Sequence, residues 1–171
     1  MAAMLNRRTL LGGVGAIALA AGLRWLMESD HAGAGHTFEI QKDDGEWRRL
    51  LTRAQYDVLR LHRTEIPGSS PLNREKAKGV FACAGCDLPL FSSDTKYESG
   101  TGWPSFWQPL ANAVGTTTDR SFLMSRTEVH CRRCGGHLGH VFEDGPQPTG
   151  LRYCMNGLSL KFIPGASGGP A

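Results

Sequence analysis

Five cysteines constrain this chain more than any other feature. Four stand in two C-x-x-C pairs, Cys83-Ala84-Gly85-Cys86 and Cys131-Arg132-Arg133-Cys134, and the fifth, Cys154, is alone. Two residues between thiols let both sulfurs point at one centre from a tight turn. Turn formers follow each pair, Asp87-Leu88-Pro89 and Gly135-Gly136. Two such knuckles supply four soft anionic ligands for one tetrahedral zinc ion, and a closed shell of four thiolates is structural, with no open position for water. The long separation between the pairs means that the metal would staple distant parts of one domain. Two alternatives stay open at this point. The four thiols could form two disulfides in an oxidising compartment, or either pair could be a redox dithiol.

The chain has 171 residues, which suits one domain with appendages. Hydrophobic residues make up 40% and charged residues 20%, enough apolar surface for a core. Its 22 glycines and 9 prolines favour turns and short elements over a helical bundle. The net charge of +3 is too small for the basic face of a nucleic-acid binder, so no nucleic-acid partner is expected.

Residues 1–34 read as an address. Asn6-Arg7-Arg8-Thr9-Leu10-Leu11 is a twin-arginine pair entering an apolar run that ends at Arg24. That run is shorter than the ~20 apolar residues of a membrane span, and Ala32-Gly33-Ala34 offers a small-residue cleavage site. We expect a twin-arginine-type export signal, removed near Ala34 or after Ala20 or Ala21, and a periplasm-like location. Membrane contact would come only during export or through an uncleaved signal.

Residues 35–163 then form the domain, and 164–171 form a flexible tail. Thr52 and Gln55 make a capping-box pattern, which predicts a short helix over 53–62 with Tyr56, Val58 and Leu59 on its buried face. From Gly79 onward, β-leaning segments alternate with turn clusters: 79–82, 121–124, 127–130, 139–142 and 151–154. The expectation is a mainly β core with a small helical N-terminal layer.

Cys154 is by default a small buried hydrophobe. Arg152, two positions away, would share its face of a strand, and a cation there favours thiolate. His137 and His140 sit in a glycine-punctuated stretch after the second knuckle. Glu98-Ser99-Gly100-Thr101-Gly102-Trp103-Pro104-Ser105-Phe106-Trp107 is either a core aromatic cluster or an apolar cage for a methyl or thioether group.

These islands resemble methionine sulfoxide reductases of the B type. The resemblance runs from about Leu50 to Phe162 and rests on five stretches in order. They are Pro71-Leu72-Asn73 with Gly79 to Cys86; Ser99 to Phe106; Arg126-Thr127-Glu128-Val129; His137 to Phe142 with Asp144-Gly145-Pro146; and Arg152 to Asn156. It implies two antiparallel sheets forming a tent-like half-barrel, stapled by one structural zinc on Cys83, Cys86, Cys131 and Cys134. It implies thiol-dependent reduction of methionine (R)-sulfoxide in oxidised proteins, with Cys154 as nucleophile. His137 and His140 would hold the catalytic water and assist proton delivery, and Arg152 and Asn156 would tune and position the thiolate. Trp103 would hold the substrate methyl, with Phe106 and Phe142 beside it. Many relatives of that kind carry a resolving cysteine where this chain has Thr101, so the resemblance implies a one-cysteine cycle served by a thioredoxin-like or other external thiol reductant. Leu158 also stands where a smaller residue is common. A monomer is expected. Two rival functions are a dithiol oxidoreductase acting through the C-x-x-C pairs and a zinc-stapled binding module with an aromatic cage.

Overall fold

Local signals build the two helices first. In the computed structural model, which describes residues 38–120 and 125–165, α1 spans Asp44–Leu50 and α2 spans Arg53–Leu61. Each opens on a complete capping box, Asp43 with Glu46 and Thr52 with Gln55, so two orphan amides are satisfied reciprocally at each start. The second box was legible in the sequence. The first was missed, because residues after His36 read only as mixed and polar. Helix α2 stops one residue earlier than predicted: His62 takes a left-handed backbone (φ 54°) and caps it. Tyr56, Val58 and Leu59 are buried, as the helical spacing predicts.

The rest is β structure in two antiparallel sheets. Strands β1 (Gly79–Cys83), β2 (Pro89–Ser92) and β9 (Leu160–Pro164) form a three-stranded sheet in the order β2-β1-β9. The second sheet has six strands in the order β3-β4-β8-β7-β6-β5. These are β3 (Lys96–Tyr97), β4 (Ser105–Phe106), β5 (Val114–Asp119), β6 (Arg126–Cys131), β7 (His137–Phe142) and β8 (Arg152–Met155). Strands β2, β3, β4, β5 and β9 were not among the expected segments; three of them are short, and in β5 Gly115-Thr116-Thr117-Thr118 carries little apolar pattern. Strand β5 is an edge strand with no buried residue. Pro164, assigned above to the tail, closes β9 opposite Gly79.

Phe81, Phe91 and Phe106 are all 0% exposed and form the centre of the core. Phe91 stacks on Phe106 at 4.4 Å, and Phe81 meets Phe106 edge-on at 5.0 Å. Each such pair adds about 0.5–1.5 kcal/mol beyond the area it buries. These elements belong to one unit, Thr37–Ala171. The expected export signal and residues 121–124 and 166–171 lie outside the described residues. Among the described residues, no helix is long and apolar enough to cross a membrane.

Candidate active site

Strand register decides which side chains meet. Cys154 on β8 lies opposite His140 on β7 and Ser105 on β4, while Arg152 lies opposite Phe142. Directly paired residues share a face, and successive residues alternate faces. Cys154, Arg152, His140, Phe142 and Ser105 therefore lie on one face, whereas Tyr153, Val141 and Phe106 lie on the other. This corrects the placement of Phe106 beside the substrate: it is one residue out of phase with Ser105 and packs in the phenylalanine core. Gly139, opposite Met155, lets β7 and β8 run close at this point, because a Cβ there would overlap the Cys154 carbonyl oxygen.

A cleft of about 150 Å³ opens over Cys154. Of the expected residues, Trp103, His140, Phe142, Cys154 and Asn156 line it, and Thr64, Arg126 and Gly139 join them. Sites for drug-sized ligands run to ~300–1,000 Å³; this one suits the tip of a single side chain. His137 and Arg152 are not among its lining residues.

Trp103 is held from both sides. Gly102, at φ +95°, turns the chain, and its carbonyl accepts from Gly68 N–H and Asn73 Nδ2. The Trp103 indole N–H donates to the Glu65 carbonyl at 3.3 Å. Glu65 was not singled out in the sequence, yet it ties the cleft together. Its amide donates to Asn156 Oδ1, and its buried carboxylate accepts from the amides of Gly157 and Leu158. Asn156 Nδ2 in turn donates to the Leu138 carbonyl. Asn156 is thus a buried bracket between β7 and the loop that carries Glu65.

The Cys154 thiol is pushed up by burial. Hydrogen bonding from Thr101, whose Oγ1 lies 3.8 Å from Sγ, and the Arg152 charge pull it down without prevailing. The sequence reading let Arg152 favour the thiolate. The structure shows why its effect is limited: the guanidinium donates two hydrogen bonds to the Asp144 carboxylate, at 2.8 and 2.7 Å, and lies over the Phe142 ring. Thiol-specific alkylation of the resting protein should therefore follow a pH curve whose midpoint lies above that of an unperturbed cysteine. A midpoint at or below the ordinary value would contradict this electrostatic picture.

His140 stands opposite the thiol, and His137 packs against His140. His140 Nε2 donates to Asp119 Oδ2 at 2.8 Å, and the same oxygen accepts from Arg126 at 2.7 Å. Burial pushes His140 down against the pull of Asp119, which favours the neutral ring. His137, 2% exposed, makes a 2.7 Å hydrogen bond through Nδ1 to Glu128 Oε1, while its buried Nε2 has no hydrogen-bond partner among the described residues. Burial pushes Glu128 up, but hydrogen bonds from His137, His62 and Thr117 outweigh it and hold the carboxyl well below the usual range. Glu128, His62 and Asp119 were not foreseen as site residues. Nothing near them in sequence marks them, because each acts across strands.

The four remaining thiols converge elsewhere. Cys83 ends β1, Cys131 ends β6, and Cys86 and Cys134 lie in the turns that follow. All four sulfurs lie within 4.8 Å of one another, with cross-knuckle separations of 3.8 and 3.5 Å. A disulfide needs ~2.05 Å, whereas tetrahedral bonds of ~2.3 Å put sulfurs ~3.8 Å apart. Hydrogen bonding among the thiols drives Cys83 up, as a donor to its neighbours, and Cys131 down, as an acceptor from them. A cation is what allows all four to ionise together. The donor set and spacing fit a metal ion that joins the two sheets.

Fold and site together define a two-sheet β protein with four thiols placed to bind a metal ion and a fifth thiol in a cleft lined by an imidazole and an indole. The SelR domain model matches residues 51–164. The chain is 54% identical over 126 residues to the peptide methionine sulfoxide reductase MsrB of Leptospira interrogans, covering 73% of this chain and 96% of that protein. It is 56% identical over 124 residues to the protein of that name from Methanosarcina barkeri, covering 72% and 87%. For Agrobacterium fabrum the values are 52% over 127 residues, 74% and 94%. The chain belongs to the MsrB family of peptide methionine sulfoxide reductases.

Proposed function

We propose that the protein reduces methionine (R)-sulfoxide in oxidised proteins to methionine, with Cys154 as nucleophile and zinc as the ion of the four-thiol site. The observation that carries this reading is the cross-strand pair of Cys154 and His140 in a cleft walled by Trp103. The indole offers an apolar wall for the substrate's methyl group, and Phe142 extends it.

The reaction is an attack of sulfur on sulfur. The Cys154 thiolate displaces the sulfoxide oxygen, which leaves only when protonated. In the resting cleft the up-shifted thiol supplies that proton itself. It passes through neutral His140 and the water that His137 and His140 hold, so no net charge builds up in a buried site. The S–S bond so formed then breaks as the released oxygen bonds to Cys154 Sγ: its electron pair returns to the substrate sulfur, giving the thioether, and Cys154 is left as sulfenic acid. An external thiol then attacks that sulfur, releases water and leaves a mixed disulfide. A second thiol frees Cys154. The balance is one sulfoxide and two thiols giving one thioether, one disulfide and water.

Thr101 stands 3.8 Å from Cys154, and the four metal-site thiols are held elsewhere. The cycle therefore has no internal resolving thiol. One experiment tests reaction and cycle together. Wild-type protein is expected to consume the R and leave the S epimer of a blocked methionine sulfoxide, and the oxidised protein should carry one added oxygen on Cys154 in its mass spectrum. Turnover of S alone, or an internal Cys154 disulfide with activity retained, would refute the reading.

The same proposal places the enzyme in a periplasm-like space through the twin-arginine signal, where a thioredoxin-like partner facing that space supplies electrons. Export of a fusion should stop when Arg7 and Arg8 are both changed to Lys, and undiminished export would refute that route.

A further inference from the structure

Three ligating side chains meet just outside the cleft. His62 closes α2, Glu128 lies on β6 and His137 starts β7, so the cluster joins three elements. One ligand atom from each lies within 4.8 Å of the others. Glu128 Oε1 is 2.7 Å from His137 Nδ1 and 3.1 Å from His62 Nδ1, and the two imidazoles stack at 5.0 Å. Around a zinc ion with bonds of ~2.0–2.1 Å, tetrahedral neighbours sit ~3.3 Å apart. The two pairs that share Glu128 Oε1 need open only by roughly 0.6 Å (His137) and roughly 0.2 Å (His62).

The mobility required is available on one side. The His62 side chain is 59% exposed, whereas Glu128 and His137 are 12% and 2% exposed. Thr117 donates to the second Glu128 oxygen at 2.7 Å, which leaves Oε1 to the imidazoles. An ion could enter from the His62 side and keep its outward position for water. None of the three donors lines the cleft.

We propose that His62, Glu128 and His137 form a second, inhibitory divalent-cation site. Two imidazole nitrogens and a carboxylate oxygen suit zinc or copper better than magnesium. The chemistry differs from that of the four-thiol centre, so the two sites are separable. An ion here takes His137 Nδ1 away from Glu128 and adds charge beside the His137 ring, which meets the His140 ring edge-on at 5.4 Å. Resting on the proton-delivery reading above, this lowers kcat and leaves KM unchanged, because the substrate cleft stays open.

Cys154→Ser protein with its four-thiol site filled with zinc is the host for the binding test, since it has no free thiol. Titration with Zn2+ should show one further equivalent by calorimetry. Co2+ at that site should give a d–d spectrum without a thiolate-to-cobalt charge-transfer band. Adding His62→Ala should abolish both signals. In the wild-type enzyme, saturating Zn2+ should lower kcat by about tenfold or more, up to the ~10²–10⁴-fold that acid–base catalysis contributes, and His62→Ala should relieve that inhibition. No further equivalent, a charge-transfer band, or binding unchanged by His62→Ala would overturn the proposal. Calorimetry and spectrum need no turnover, so they stand apart from any failure of the proposed reaction.

Discussion

Cys154→Ser protein is expected to fold, hold metal and reduce no sulfoxide. Serine is nearly isosteric with cysteine, and the position is only partly buried, so the stability change should stay within about 1 kcal/mol. The chemical loss is of another order. A serine hydroxyl is far less nucleophilic toward sulfur than a thiolate and has no sulfenic acid to form. Loss of a nucleophile removes most of an enzyme's rate enhancement, so turnover of the R sulfoxide should fall by at least on the order of 10⁴-fold. The contrast is informative because the other four cysteines remain. A dithiol oxidoreductase working through Cys83-Cys86 or Cys131-Cys134 would keep its activity in this variant, and retained turnover would end the assignment of Cys154. Circular dichroism and metal content, both unchanged, would show that the loss is chemical.

Cys131→Ser should have the largest effect on the fold. Cys131 ends β6 in the six-stranded sheet, and Cys83 ends β1 in the three-stranded one, so an ion shared by them ties sheet to sheet. Structural zinc contributes apparent binding energies of about 10–16 kcal/mol. That matches or exceeds the ~5–15 kcal/mol by which domains are stable. The variant, or the wild type treated with a strong chelator, should lose its cooperative melting transition and collect in the insoluble fraction. Activity would vanish with it, although none of the four cysteines lines the cleft, because β7 and His137 follow directly from the second knuckle. A chelated protein without metal that melts as before would show that the four thiols are dispensable to the fold.

The site was legible in the sequence wherever neighbouring residues carry the signal. Cys83-x-x-Cys86 and Cys131-x-x-Cys134 announce convergent sulfurs through spacing alone, and Thr52-x-x-Gln55 announces a helix start. Gly100-Thr101-Gly102-Trp103 announces a turn that projects an indole. Arg152 and Cys154 share a face because a strand alternates with period two. Phe106 shows the limit of this reading. It stands in the same aromatic island as Trp103, but one step from Ser105 on a strand sends it into the core, and only the pairing of Ser105 with Cys154 reveals the phase. Glu65 and Glu128 are the opposite case, unremarkable in sequence and central in space. Glu65 links Trp103 to Asn156, and Glu128 links His62 to His137.

The sequence by itself determined the partition of five thiols into four and one, the starts of α2 and β1, and the family, since these depend on residues within a few positions of one another. Only the tertiary structure decided which imidazole faces which carboxylate, which phenylalanine leaves the cleft, and whether burial or Arg152 governs the Cys154 proton. Those outcomes depend on strand register and on desolvation, and both are set by segments far apart in the chain that meet only once the sheets have formed.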